Sequence, residues 1–269
     1  MSNNTIIAVE RSSQNDTFLP QHTASCVSQA VIYRAPIIQN ICIILMMIAY
    51  SAYLHDVNTS LAIYFRTGAS LESISDIVVR YGGICLRTGS PPCDGKLCMT
   101  AEIRKVAFHR RYMDEGCIHG YDFAIIELET DLMFDTSTSA ICLPNSSFDL
   151  NFAENLFDYG FGENEKGEMM SRLNYGSAKI LGVAKHRDFI RAGPIYKPKN
   201  ATHHHGICAG DSGAGLQGYF KHRAFLLGIH SFSSMNCYDG TPFTMTDVRR
   251  YAKLICHLTG ICYHLSSWI

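Results

Sequence analysis

The residues best suited to chemistry lie together at Cys208-Ala209-Gly210-Asp211-Ser212-Gly213. A serine followed by glycine, two positions after another glycine, suits a tight turn that exposes its hydroxyl as a nucleophile. The backbone N–H groups of Gly210 and Ser212 could then converge on one point and stabilise an oxyanion, each such donor being worth about 3 kcal/mol in a transition state. Gly210 fits that role because a side chain there would obstruct an incoming carbonyl. By composition alone, the same stretch reads equally well as a solvated Gly-Asp-Ser-Gly turn. His203-His204-His205 offers imidazoles to a metal. Adjacent histidines rarely face one ion, however, and no neighbouring set completes a tetrahedral shell, so this run reads as an exposed loop. Cys85, Cys93, Cys98 and Cys117 are expected to form two disulfides and not a zinc site. No glycine-rich phosphate loop occurs.

The elements that would carry such a turn are short. Ile77–Arg80, Ile103–Phe108, Phe123–Leu128 and Ala224–Phe232 are β-branched or aromatic-rich and bounded by turn residues. Gly215–Phe220, the pair Lys221-His222 and Arg223–Phe232 read as a β-hairpin. Val248, Tyr251, Ala252, Ile255 and Leu258 recur at helical spacing, with Thr246 or Asp247 as N-cap and Gly260 as a stop. Many short strands and one terminal helix predict an all-β barrel protein. The 269 residues are 47% hydrophobic and 17% charged, enough for a real core. With 23 Lys and Arg against 24 Asp and Glu, no basic stretch tracks a phosphate backbone, which argues against nucleic acid as a partner. The 11 cysteines suit an oxidising compartment, and their odd number leaves one thiol unpaired or paired to another chain.

Residues 1–36 are polar and expected to carry no fold. Ile41–Tyr50 is a run of ten apolar residues, short for a membrane span and right for a signal h-region, with Ala49-Tyr50-Ser51 as a cleavage site. The reading is a polar leader plus apolar signal over 1–55 and one domain over 60–269. Its rivals are a type II membrane anchor through residues 37–54 and a buried strand or helix. Five glycosylation sequons, at Asn3, Asn15, Asn58, Asn145 and Asn200, also point to export.

The segment CAGDSGAGL resembles the nucleophile signature of the chymotrypsin/trypsin-like S1 serine peptidases, and three more segments follow that family's order. Tyr121–Leu128 is similar to the strand bearing the triad aspartate, Ala140–Pro144 to the linker between two barrels, and Leu227–Phe232 to the strand walling the specificity pocket. The terminal helix also matches. Asp122 precedes Ser212 by 90 residues, close to the roughly 90 of the triad template. The resemblance covers about residues 76–262, and the cysteine-rich stretch before Asp122 is similar to the branch expanded in nematodes. It implies two packed six-stranded antiparallel β-barrels, the first truncated or divergent, and peptide hydrolysis through an acyl-enzyme on Ser212 with no cofactor or metal. It further implies that Asp122 holds the base in its tautomer, that Gly210 and Ser212 donate to the oxyanion, and that Ser231 hydrogen-bonds Asp122. Asp211 would pair with a new amino terminus after activation. Gly206, Ile207, Phe232 and Ser233 would line the specificity pocket, bracketed by a Cys208–Cys237 disulfide. Gly206, at the pocket floor, does not support Arg or Lys selectivity, so an apolar preference is expected. Partners would be peptide or protein substrates and protease inhibitors.

The pattern breaks at the base. In the template the histidine lies roughly 45 residues before the aspartate, which here is near position 77. No histidine occurs from Leu61 to Phe108, and no Thr-Ala-Ala-His-Cys type loop is present. His22, His109 and His119 fit worse than His55, which precedes Asp122 by 67 residues and is the base this reading offers. No Ile-Val-Gly-Gly activation site is legible, and the first barrel is short. Either an incomplete gene model or an inactive homologue acting as a protein- or peptide-binding module would account for all three gaps.

Overall fold

A computed structural model of the chain describes the strands within residues 7–62 as backbone elements. It further describes residues 78–86, 92–109, 111, 120–132, 140–164, 167–168, 170–195, 211–233, 242–259 and 261. The early strands are β1 (Ile7–Glu10), β2 (Cys26–Ser28), β3 (Ala30–Tyr33), β4 (Met46–Ala49), β5 (Leu61–Ala62), β6 (Val78–Tyr81) and β7 (Met99–Ala101). Next come β8 (Ile103–His109), β9 (Ala124–Leu128) and β10 (Ala140–Cys142). The last six strands are β11 (Glu154–Gly160), β12 (Asn174–Val183), β13 (Phe189–Pro194), β14 (Gly215–Phe220), β15 (Arg223–Phe232) and β16 (Phe243–Asp247), followed by helix α1 (Ala252–Thr259).

Those last six strands close on themselves. Their order is β14-β11-β12-β13-β16-β15, and β14 pairs back onto β15. Every pairing around this ring is antiparallel. Closure removes the exposed edges that an open sheet would offer to other chains. Alternation along the strands fills the interior. Ile190 and Ala192 of β13, Leu216 of β14, Phe225 and Leu227 of β15, and Phe243 and Met245 of β16 form one buried cluster. Each large apolar side chain so buried is worth about 1.5–3 kcal/mol.

The opposite face of β15 makes a second core. Leu226 and Ile229 pack with Ala107, Phe123 and Ile125 of the β8–β9 hairpin, with Ile141 and Leu143 of the linker, and with Val248, Ile255 and Leu258 of the terminal segment. One strand thus serves both cores, which makes it the natural place for a site between them. The β14–β15 connection is the two-residue turn expected at Lys221-His222. Both residues have left-handed backbones, φ 47° and 63°, as a type I′ turn requires. The expected helix is also present, preceded by a 3₁₀ turn over Val248–Tyr251 whose N-cap is Asp247, its carboxylate accepting from Arg249 N.

The all-β class is as expected, with one closed barrel. β10 and β2 extend the barrel sheet beyond β15, and the other eight strands form a five-stranded sheet, β1-β4-β9-β8-β5, and a three-stranded sheet, β3-β6-β7. They are not purely antiparallel, since β1–β4 and β4–β9 run parallel. Residues 1–36 were expected to carry no fold, yet they supply β1, β2 and β3, because Ile7–Val9 and Val31–Tyr33 are short apolar, β-branched runs. Part of the apolar run Ile41–Tyr50 is strand β4. Among the described residues no helix is long and apolar enough to cross a membrane.

Cys85 is joined to Cys93. Cys98, however, is a buried free thiol, so the two disulfides expected among Cys85, Cys93, Cys98 and Cys117 are not both made. Cys98 meets Cys85 through the main chain, its N–H donating to the Cys85 carbonyl at 2.8 Å, and the Cys85 sulfur is bonded to Cys93. Burial raises the Cys98 thiol pKa and keeps it protonated. Cys117 lies outside the described residues.

Candidate active site

Asp122 sits two residues before the start of β9, in the buried run Asp122–Leu128, and is 1% exposed. A carboxylate so buried needs hydrogen-bond donors to offset its lost hydration. Ser231 Oγ donates to its Oδ2 at 2.6 Å, and Thr246 Oγ1 donates to its main-chain carbonyl at 2.8 Å. The donors come from β15 and β16, so barrel strands more than a hundred residues away hold Asp122, Ser231 by its carboxyl group and Thr246 by its main chain. Hydrogen bonds to an ionised group are each worth about 1.5–3 kcal/mol.

Ser212 lies in the turn leading into β14 and is half-buried. Gly213, at φ 90°, lets the chain reverse there. Ala214 N donates to the Asp211 carbonyl at 2.9 Å, closing the turn. Gly213 N donates to the His230 carbonyl at 3.0 Å, and His230 N to the Ala214 carbonyl at 2.8 Å. The serine turn is therefore bonded to the main chain of His230, and the next residue, Ser231, carries the bond to Asp122. The Ser212 turn and the Asp122 carboxylate meet at adjacent residues of one strand.

Asp211 turns inward. Its Oδ1 accepts from Gly162 N at 2.7 Å, and a side chain at Gly160 or Gly162 would collide with its carboxylate. Glycine is needed at both positions for this close approach. Asp158, two residues before Gly160, is buried. Burial, aided by the negative charge of Asp211, pushes its carboxyl pKa up to about 7.

Ser231 is hydrogen-bonded to Asp122, and the Ser212 turn is bonded to the same strand through Gly213 and Ala214. Phe232 is half-buried, its ring edge-on to Phe189 with centroids 5.5 Å apart, and Ser233 is exposed. His55, Gly206, Ile207, Cys208, Gly210 and Cys237, together with His203-His204-His205, lie outside the described residues. Asp211 meets Gly162, a partner that the sequence reading did not foresee.

Three other residues escaped that reading. By sequence Thr246 reads only as a helix cap, yet its hydroxyl donates to the Asp122 main-chain carbonyl and leaves the capping to Asp247. His230 is 2% exposed, its ring 4.9 Å from that of Phe243, and its Nε2 makes no hydrogen bond. Burial lowers its pKa to about 3, so it is neutral and a poor proton acceptor. Asp188, in the turn between β12 and β13, accepts from the Tyr121 main chain at 2.9 Å, and no sequence signal marks it.

In comparison with known proteins, residues 97–255, more than half of the chain, match the family model described as Trypsin. The chain is 26% identical over 163 residues to the CLIP domain-containing serine protease B4 of Anopheles gambiae, covering 57% of this chain and 45% of that protein. It is also 26% identical over 151 residues to the CLIP domain-containing serine protease C9 of the same mosquito, covering 49% and 42% respectively. The matches thus span less than half the length of either relative.

Proposed function

Because the chain belongs to the trypsin family, we propose that it is a secreted serine endopeptidase working by acyl transfer through Ser212. The observation that carries this reading is the buried Asp122, held by Ser231 beside the strand to which the Ser212 turn is bonded. In this mechanism a histidine takes the Ser212 proton as Oγ attacks the substrate carbonyl, and Asp122 steadies the resulting imidazolium. Main-chain N–H groups of Gly210 and Ser212 receive the oxyanion. The histidine returns the proton to the leaving amine, and water then repeats the sequence to release the acyl group. His55 is the base in this proposal. Substrates are peptides or proteins, with an apolar residue preferred at the cleaved bond because Gly206 supplies no charge. Export rests on the apolar run before residue 51 and the sequons at Asn58, Asn145 and Asn200. The cysteine-rich stretch from Cys85 to Cys117 supports the branch expanded in nematodes.

A fluorophosphonate probe tests this directly. Purified wild type is expected to label, whereas Ser212→Ala is not, and equal labelling of the two would sink the nucleophile assignment. His55→Ala is expected to abolish labelling, since losing the base costs on the order of a millionfold in turnover.

A second reading has its own observation: no histidine lies between Leu61 and Phe108, where the template places the base. On that reading the chain binds peptides or proteins without cleaving them. Unlabelled wild-type protein that still retains a peptide ligand would decide for it.

A further inference from the structure

We propose that Asp188 is a positioning residue for Asp122, fixing the main chain on both sides of that carboxylate from the turn between β12 and β13. The inference rests on the role given to Asp122 above. Tyr121, just before Asp122, donates its N–H to Asp188 Oδ2 at 2.9 Å. Phe123, just after it, stacks on the Tyr251 ring with centroids 4.0 Å apart and planes 10° from parallel. The Tyr251 hydroxyl in turn donates to the same Asp188 Oδ2. One carboxylate oxygen therefore holds both neighbours of Asp122, one directly and one through an aromatic ring.

The approach to Asp122 is strained in a way that needs such a hold. Gly120 has φ 99° and Tyr121 has φ 64°, a left-handed conformation costing a non-glycine residue of order 1–2 kcal/mol. A side chain at Gly120 would collide with Asp188 Oδ1, so this oxygen presses against the same turn. Asp188 is itself anchored, its main-chain carbonyl accepting from Asp247 N at 2.7 Å. The burial of Tyr251 and the charge of Asp188 keep the tyrosine pKa above its ordinary value, so it remains a donor. With Ser231 and Thr246 on its other sides, Asp122 is tied to β15, β16 and the β12–β13 turn.

The test compares wild type, Asp188→Ala, Asp188→Asn and Tyr251→Phe in the full chain. Three quantities are read: the second-order rate of fluorophosphonate labelling at Ser212, the pH titration of the Asp122 carboxyl carbon by NMR, and hydrogen exchange at the Tyr121 amide. Asp188→Ala is expected to slow labelling about tenfold or more, since a misplaced group costs up to about a hundredfold. It should also shift the Asp122 titration and speed exchange at Tyr121. Asp188→Asn keeps an acceptor oxygen and is expected to restore all three to within about threefold of wild type. Tyr251→Phe removes one donor and no backbone tie, and should move the titration and the exchange in the direction of Asp188→Ala. If Asp188→Ala does not fold, this milder variant carries the test. An unchanged Asp122 titration in Asp188→Ala, or in Tyr251→Phe where only that variant folds, overturns the proposal. So does a failure of Asp188→Asn to rescue. Wild type that does not label defeats the peptidase reading alone, and the Asp122 titration then decides the role of Asp188.

Discussion

Ser231 carries the interaction on which the proposed site depends. Its hydroxyl lies 2.6 Å from a carboxylate oxygen that has almost no access to water. Ser231→Ala leaves that oxygen without this donor in a buried place, where an unmet polar group costs about 1–3 kcal/mol. The variant should lose stability by that amount in urea unfolding and label more slowly at Ser212. Ser231→Thr, which retains the hydroxyl, should lose less of both. A Ser231→Ala protein as stable as wild type would mean that Asp122 finds an equivalent donor. This pair was legible in the sequence, because the family resemblance set Asp122 and Ser231 together. Thr246, Asp188 and the glycines that admit Asp211 were not, since each acts through a contact made only after the strands have assembled.

Among the elements, the β14–β15 hairpin shows how far pattern can go. Its strands and turn fall where two strand-like runs flanking the polar pair Lys221-His222 put them. The pattern left one thing open: both turn residues take positive φ with non-glycine side chains. Replacing Lys221-His222 by Asn-Gly, the pair that suits a type I′ turn, should therefore stabilise the protein by about 1 kcal/mol. A rise in urea midpoint with unchanged slope would bear this out. The terminal helix was equally legible through its 3.6-residue period. Which of two candidate residues caps it was settled by β16, which turns Thr246 toward Asp122 and leaves Asp247 to accept from Arg249.

For the molecule as a whole, the buried Asp158 beside Asp211 links folding to pH. Asp158 titrates near 7 when folded and near its ordinary 3.8 when unfolded, so the folded state binds its proton more tightly. Its contribution is fully favourable below about pH 4 and is lost as pH rises through about 7. A shift of that size corresponds to at most about 4 kcal/mol. Asp158→Asn, which cannot ionise, should flatten this part of the profile and be more stable than wild type at pH 8. Urea unfolding at pH 5 and pH 8 would show it, and parallel profiles for the two proteins would refute the link.

The sequence by itself determined the short strands, the hairpin, the terminal helix and the order of the motifs, because each depends on residues near one another in the chain. It also marks Ser212, Asp122 and Ser231 as the residues expected to share one site. Barrel closure through the β14–β15 pairing, the use of β15 by two cores, and the state of Cys98 were decided only by the tertiary structure. So was the burial of Asp158 beside Asp211, and so was the hold of Asp188 on Tyr121 and Tyr251. These depend on distances between segments far apart in the chain, and such distances exist only once the chain has packed.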